Sequence, residues 1–291
     1  MSHSTRNVFG FVRMTRALSV NVRNFWVHSH FHVAAAAVIL YDLYADWSGI
    51  QVLPNYGAFL FCATVAYYGF LRLHHIRSLR PSLRQWFRQH YKFVLFLVLS
   101  SFFCGIWSYF RLPVSMRLRL LIPGILALFY HLRPARTIIS LRNTGMLKIG
   151  VISAVWAAIV TWVPMGDNFS LFWKLVWFMH AFLFVLLWTV PFDIRDLSLD
   201  EGDLKTIPLV FREKTFSRIL VPWSLYMGLS IFLAFRFSVS AGIVFLAGGG
   251  MLLAAVYYAR RFRHRYFFTA FWVEGIPVWM WLIRECLNYV G

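Results

Sequence analysis

The sequence predicts an all-α membrane protein, folded as a bundle of about nine transmembrane helices. Of its 291 residues, 60% are hydrophobic and 14% are charged, whereas a soluble domain carries roughly 25% charged residues. The mean hydropathy is +0.63. Apolar runs long enough to cross a bilayer recur along the whole chain. These runs are expected to be helical, because lipid cannot satisfy open backbone N–H and C=O groups. We therefore expect one multi-pass domain over residues 1–291.

The predicted membrane segments follow one another with short connections. Several are near the lower length limit for a bilayer of about 30 Å. The segments are 25–45, 54–72, 92–110, 113–131, 148–164, 170–191, 216–235, 239–259 and 267–289.

Basic residues are distributed unevenly between the connections. With the N-terminus in the cytoplasm, most of the 29 Lys and Arg residues fall in the arm and loops on that side. The opposite turns 46–54 and 164–170 hold none and carry Asp46 and Asp167. This asymmetry predicts a cytoplasmic N-terminus and an external C-terminus. The net charge of +18 is therefore largely a topology signal, and we expect no nucleic-acid partner. We expect the protein in a cell membrane, specifically the cytoplasmic membrane of a bacterium.

The segment 191–211, which reads PFDIRDLSLDEGDLKTIPLVF, holds five of the eleven acidic residues of the chain. Asp193, Asp196 and Asp200 have the spacing i, i+3, i+7, which on a helix places three carboxylates on one face. Like charges so placed repel one another unless a cation lies among them. Oxygen ligands at the water–bilayer boundary suit Mg²⁺, so we predict that these three residues form a catalytic metal site. The alternative is a solvated loop whose aspartates cap a helix and offset nearby basic residues.

The same segment resembles the second aspartate-rich motif of the UbiA superfamily of intramembrane prenyltransferases. Members of that family read D-x-x-D-x-x-x-D, often with R-D inside the motif and a K-T-x-P-like segment after it. The matching residues are Asp193, Arg195, Asp196, Asp200, Asp203, Lys205, Thr206 and Pro208. The chain length, the nine predicted spans and the place of the motif after the sixth span are also similar to that family.

The resemblance implies a function and its participants. In the family, two acidic motifs face each other on the cytoplasmic side and hold Mg²⁺ on the diphosphate of an isoprenoid donor. The isoprenoid tail lies in an apolar tunnel between helices. The chain is thus expected to transfer a prenyl group from an isoprenoid diphosphate to a lipid-soluble acceptor, in contact with membrane lipids.

One half of the family pattern is missing. The first motif, N-D-x-x-D, belongs at the end of the second span, but residues 66–77 read AYYGFLRLHHIR and contain neither Asp nor Asn. Guanidinium groups pair bidentately with phosphate oxygens. We therefore predict that Arg72, Arg77 and Lys205 bind the diphosphate while the three aspartates hold a single Mg²⁺. The alternative is a catalytically degenerate relative that binds a lipid or acts as a membrane scaffold. A small transporter is a third interpretation, although no paired broken spans or inverted repeat is visible.

A few other polar residues interrupt the apolar segments. Asp42 and Glu274 lie within the first and ninth predicted spans, and intramembrane carboxylates are functional candidates. Both lie near a span end, so an interfacial role is an equal alternative. His28 and His32 have the spacing i, i+4, which is compatible with a metal on one helix face, but histidines at the start of a span are more often interfacial.

Overall fold

The computed structural model shows helices joined by short turns, and the part of the chain that it describes contains no strand. This confirms the all-α prediction. The described residues are 22–79, 81–131, 145–166, 169–196, 215–262 and 265–290.

Among the described residues, ten α-helices and two π-helical segments follow a short helical stretch at 22–28. The α-helices are α1 (Phe31–Ser48), α2 (Pro54–His74), α3 (Pro81–Gln89), α4 (Tyr91–Phe110), α5 (Val114–His131), α6 (Gly145–Ala157), α7 (Leu171–Asp196), α8 (Thr215–Arg236), α9 (Val239–Phe262) and α10 (Ile276–Val290). A π-helix, Ala158–Trp162, continues α6, and a second one, Phe268–Val273, precedes α10. Gly49 ends α1 in the left-handed conformation, and Pro54 begins α2, each a position that the residue favours.

Among the described residues, five helices are long and apolar enough to cross a membrane. They are Pro54–His74, Tyr91–Phe110, Leu171–Asp196, Ser217–Arg236 and Val239–Phe262. Helices also occupy the other predicted segments, but those helices are shorter or more polar. The structure therefore indicates a multi-pass membrane protein, and the count of nine spans stays a prediction.

The outer surface of α4 is apolar. Large side chains along this helix are exposed, among them Phe96, Phe103, Trp107 and Phe110. An exposed hydrophobic surface of this size is unfavourable in water, whereas lipid tails accommodate it without cost. The surface of α4 thus agrees with a membrane environment.

Helix α7 packs against several other helices of the bundle. It contacts α6, α8 and α9, while α1 contacts α2, α9, α10 and the π-helix that continues α6. Around the bundle the contacts run from α4 through α2, α1, α10, α9, α8, α7 and α6 to α5. The two ends of this order, α4 and α5, are consecutive in the chain. A cavity lies beside them, between α2, α5 and α6.

His180 joins three helices in the core. The Ser230 hydroxyl donates to the Tyr226 carbonyl at 2.9 Å, so its oxygen can accept from His180 Nε2–H at 2.8 Å. His180 Nδ1 then accepts from the Tyr44 hydroxyl, also at 2.8 Å. Both ring nitrogens are satisfied, and α1, α7 and α8 are tied together by a buried network that needs no further partner.

Helix α3 lies between the predicted spans 54–72 and 92–110, where the sequence predicts only a connection. Leu83 and Phe87 are buried one turn apart, whereas Arg88 on the opposite side is exposed. An amphipathic helix of nine residues thus covers part of the bundle end. Pro81 at its first position and the i, i+4 apolar pair were the available sequence signals.

We predict that close packing of α8 on α9 depends on Gly242. A Cβ at this position would overlap the Cβ of Ala234 and approach its Cα to 3.0 Å, and helix backbone cannot give way. Gly242→Ala is expected to lower the thermal unfolding midpoint in detergent, at a cost of about 1–3 kcal/mol.

Gly250 on the same helix is the matched control. A Cβ there meets nothing within 4 Å, so Gly250→Ala should leave the midpoint unchanged or raise it slightly, since Ala favours helix. If the two variants have equal unfolding midpoints, close packing of α8 on α9 at Gly242 does not contribute to stability.

Candidate functional site

Polar side chains from three helix ends meet at one end of the bundle. We call the group of Arg72, Arg195, Asp196, Tyr266, Thr269 and Glu274 the polar cluster. Arg72 lies in the last turn of α2, and Arg195 and Asp196 lie in the last turn of α7. The remaining three lie in or beside the π-helix that precedes α10. The alternating direction of the helices brings these termini to the same side.

Arg195 is the most strongly held member of the polar cluster. Its side chain is 11% exposed. Its Nε and Nη2 donate to the two carboxylate oxygens of Asp196 at 2.7 and 3.0 Å, and its Nη1 donates to Thr269 Oγ1 at 2.9 Å. The guanidinium also lies over the Tyr266 ring, 5.7 Å from its centroid. A bidentate pair of this kind fixes both charged groups in direction as well as position.

Glu274 connects Arg195 with Arg72. Both guanidinium groups lie close enough to act electrostatically on the Glu274 carboxyl and on Tyr266. Burial raises the pKa of the Tyr266 phenol, so its hydroxyl keeps its proton and remains a hydrogen-bond donor. Arg72 therefore belongs electrostatically to the same site as the end of α7.

The second π-helix sets the position of Glu274. Glu274 N donates to the Thr269 carbonyl at 3.0 Å, five residues back. Trp188 Nε1 on α7 donates to the Val273 carbonyl at 2.6 Å. His32 Nδ1 accepts from Trp26 Nε1 at 3.0 Å, so its Nε2 carries the proton and donates to the Phe271 carbonyl at 2.8 Å. The π-helix is thus hydrogen-bonded to α1 and to α7. Single-turn π-helices occur often at functional sites.

An apolar cavity of about 870 Å³ ends at the polar cluster. This volume is within the range of about 300–1,000 Å³ that small-molecule sites occupy. Its walls are mostly aliphatic and aromatic, and its polar end is formed by Arg72 and His75, with Tyr67 and Tyr68 beside them. Exposed side chains of α5 such as Ile125 also line it, so the cavity opens sideways toward the lipid-facing surface. An amphiphile with an anionic head and an apolar tail fits this polarity.

Two buried imidazoles lie next to the same end. His28 and His30 are each 8% exposed, and His28 Nδ1 and His30 Nε2 have no hydrogen-bond partner among the described residues. The ring centroid of His30 lies 5.7 Å from that of Tyr68. The charge of Arg72 acts on both histidines.

His30 has an unusual backbone. Its φ of 65° makes it the only non-glycine residue with positive φ in the described chain. This conformation costs a residue with a Cβ about 1–3 kcal/mol. Gly or Asn would adopt it more readily.

The predicted metal ligands lie partly inside and partly outside the described residues. Asp193 is buried at 4% exposure, and Asp196 is 32% exposed in its pair with Arg195. Asp200 and Lys205 lie outside the described residues. Arg72 lines the cavity, whereas Arg77 is exposed within the 3₁₀ turn Ile76–Ser78. Of the predicted site residues, the structure thus brings Arg72 close to the end of α7 and leaves Arg77 at the surface.

The described residues offer Mg²⁺ two carboxylates, Asp193 and Asp196. The described part of the chain contains no group of three or more His, Cys, Asp or Glu side chains suited to a metal ion. Two carboxylates on one helix end match the ligand set that Mg²⁺ uses when water and substrate phosphates complete its shell. Both oxygens of Asp196 already accept from Arg195, so a metal ion at this position competes with that guanidinium.

Several members of the site were not assigned to it from the sequence. Glu274 was noted as an intramembrane carboxylate, but nothing in the sequence linked it with Arg72 or Arg195. Thr269 and Tyr266 carried no signal, because a π-helix has no reliable sequence pattern. The spacing of His28 and His32 is compatible with a metal pair, yet both ring nitrogens of His32 are satisfied by Trp26 and Phe271. The histidine beside the cavity lining is His30.

Comparisons of the chain with protein families, with curated proteins and with solved structures found no match. Functional interpretation therefore depends on the geometry of this chain.

We predict that the hydrogen bond from Trp188 stabilises the π-helix at the polar cluster. Trp188→Phe keeps an aromatic ring but leaves the Val273 carbonyl without its donor. We expect a loss of about 1–3 kcal/mol, measured as a lower unfolding midpoint, together with faster hydrogen exchange of amides in residues 268–274.

Trp272→Phe is the control, since Trp272 lies in the same π-helix and is 55% exposed. Its substitution should change neither quantity. Identical exchange in both variants would contradict a role of Trp188 in holding the segment.

Proposed function

We propose that the protein is a UbiA-like intramembrane prenyltransferase of a cell membrane, with nine spans and a cytoplasmic N-terminus. It moves a prenyl group from an isoprenoid diphosphate to a lipophilic acceptor. The observation that supports this most directly is the apolar cavity, which ends at Arg72 within electrostatic reach of the polar cluster. The cavity thus offers apolar walls to an isoprenoid tail and a cationic end to a diphosphate.

Arg72 is the residue best placed to bind the diphosphate. It lines the cavity, and its charge reaches Glu274, Tyr266 and the two histidines. Guanidinium groups bind phosphate oxygens through two parallel hydrogen bonds. With the tail between α2, α5 and α6, the diphosphate lies at the end of α2, on the side where α7 carries Asp193 and Asp196.

The reaction begins with cleavage of the bond between the allylic carbon and the diphosphate oxygen. The electron pair leaves with the diphosphate, and Arg72 stabilises the charge that develops there. An electron pair of the acceptor then forms the new bond to the allylic carbon, and the acceptor loses a proton. When bound at Asp193, Asp196 and Asp200, Mg²⁺ supplies further positive charge for the leaving group. Aromatic residues of the cavity, such as Tyr67 and Trp156, offer π faces to the allylic cation.

A second function, binding of an isoprenoid-like lipid without turnover, is favoured by one observation. Arg195 occupies both carboxylate oxygens of Asp196, and residues 66–77 contribute no carboxylate to a metal site. The cavity and Arg72 would serve such a lipid-binding or scaffold protein equally well. The two functions differ in their dependence on metal.

Turnover of labelled donors distinguishes them. We expect the reconstituted protein to release diphosphate from geranyl, farnesyl or longer diphosphates in the presence of Mg²⁺ and extracted membrane lipids. Chelation of the metal and the substitution Asp196→Ala should each reduce release strongly. If no donor and no lipid extract gives release, the enzyme function is excluded. If prenyl diphosphate binds with the same affinity without Mg²⁺ and in Asp196→Ala, the lipid-binding function is the correct one.

We predict that the head and tail of the donor can be separated by two substitutions. Arg72→Gln removes a charged hydrogen-bond donor and should weaken binding of both inorganic diphosphate and prenyl diphosphate about tenfold or more. Gly124 lines the cavity, and nothing lies within 4 Å of a Cβ built there. Gly124→Phe should therefore fill part of the cavity and weaken only the prenylated ligand.

Each variant has a matched control. Arg88 is exposed on α3, and Gly228 has similar open space on α8 away from the cavity. Arg88→Gln and Gly228→Phe should bind both ligands like the wild type. Affinities are measured by titration calorimetry. If Gly124→Phe and Gly228→Phe change the affinity for prenyl diphosphate equally, the tail does not lie in this cavity.

A further inference from the structure

The imidazole of His30 is a buried basic group that the functions considered so far do not use. It is 8% exposed, and its Nε2 has no hydrogen-bond partner among the described residues. Buried polar atoms without a partner are rare in folded proteins and indicate a strained site or a bound group. Its ring lies against Tyr68, which lines the cavity beside Arg72. His30 is thus adjacent to the polar end of the cavity.

Among the described residues, the groups that act on His30 or contact its ring come from its own segment and from α2. His28 precedes it by two residues, and Arg72 and Tyr68 lie on α2. Arg72 is always protonated and accepts no proton. Glu274 lies beyond it, within reach of both Arg72 and Arg195. Among these neighbours, a neutral imidazole is the group suited to take up a proton next to the cavity.

The backbone at this position supports a role other than packing. His30 keeps φ at 65° between the helical residues 22–28 and α1, where Gly or Asn would be less strained. Strain of this kind concentrates at functional sites. The side chain also makes no capping hydrogen bond to α1, so helix capping does not explain the choice of histidine.

We propose that His30 is the base that accepts the proton lost by the acceptor during prenyl transfer; this inference rests on the function proposed above. As the acceptor's electron pair forms the bond to the allylic carbon, its proton passes to Nε2 of His30. The diphosphate leaves with the electron pair of the broken C–O bond. The step needs no further reactant, and the imidazolium returns its proton to water after release of the products.

The inference narrows the class of acceptor. An acceptor that gives its proton to an imidazole must carry that proton on the atom that forms the new bond, or on one conjugated with it. The protonated imidazole then lies beside Arg72, whose positive charge disfavours it. The developing negative charge of the diphosphate bound at Arg72 offsets this repulsion. A saturated lipid without such a proton is excluded as acceptor.

Two substitutions remove the base while keeping the backbone. Gly and Asn both adopt the left-handed conformation readily, so His30→Gly and His30→Asn should have unfolding midpoints equal to or above that of the wild type. We expect turnover to fall about a hundredfold or more in both. The neighbouring charge of Arg72 favours the neutral imidazole, so in the wild type turnover should rise with pH only in the acidic range and then level off. In both variants this rise should be absent. Added imidazole should restore turnover in His30→Gly, where it can occupy the vacated space.

The control is His74→Asn, which alters an exposed histidine at the end of α2 and should keep the wild-type rate and pH profile. Wild-type turnover and an unchanged pH profile in the His30 variants would overturn the role of His30 and leave the prenyltransferase intact. The role of His30 would also be overturned if His30→Gly lost turnover and added imidazole did not restore it. A pH profile of wild-type turnover without a rise at acidic pH would have the same consequence. Absence of diphosphate release in the wild type would overturn the proposed function, and this inference with it.

Discussion

The polar end of the bundle depends on the neutralisation of one buried charge. Arg195 is almost fully enclosed at the end of α7, and an unpaired guanidinium in such surroundings is strongly unfavourable. Asp196 provides the counter-charge, Thr269 accepts a further hydrogen bond, and Glu274 adds a second carboxyl within electrostatic reach. Asp196 lies on α7, whereas Thr269 and Glu274 lie in or beside the π-helix before α10. The hydrogen bonds and charge contacts of Arg195 therefore fix the distance between α7 and that segment. Arg72 joins the arrangement through Glu274, which brings the end of α2 and its cavity to the same place.

The helical class and the approximate location of the helices follow from the sequence. Apolar runs separated by basic connections have few physical solutions in lipid, and the helices lie where those runs are. The sequence predicts the connection 72–92 less well, because the short amphipathic helix α3 gives only a weak pattern beside long apolar segments. It did not predict the π-helices, which depend on packing against neighbouring helices. Trp188 and His32 hold one of them through contacts more than eighty residues away in the chain.

The candidate site shows the same division. The aspartate spacing in 191–211 points to the end of α7, and the basic residues at the end of the second span point to Arg72; the roles predicted for these residues stay predictions. The sequence does not show which side chain each charged residue pairs with. Asp196 was predicted as a metal ligand, and in the structure it is paired with its neighbour Arg195; the metal itself stays a prediction. His30 was passed over because its importance lies in a backbone conformation and an unsatisfied nitrogen, neither of which is visible in sequence.

The π-helix before α10 has a consequence for how this chain tolerates insertions and deletions. A π turn holds one residue more than an α turn, so it absorbs a register difference between the helical residues before it and those after it. Removing one residue from 268–273 would favour regular α-helix, and the residues on either side would keep their relative register because the π turn had absorbed the extra residue. The ion pair between Arg284 and Asp42 on α10, 2.7 Å long, would then be retained, whereas the carbonyls that accept from Trp188 and His32 would be displaced. A deletion in this segment should therefore disturb the polar cluster while leaving the packing of the last helix in place.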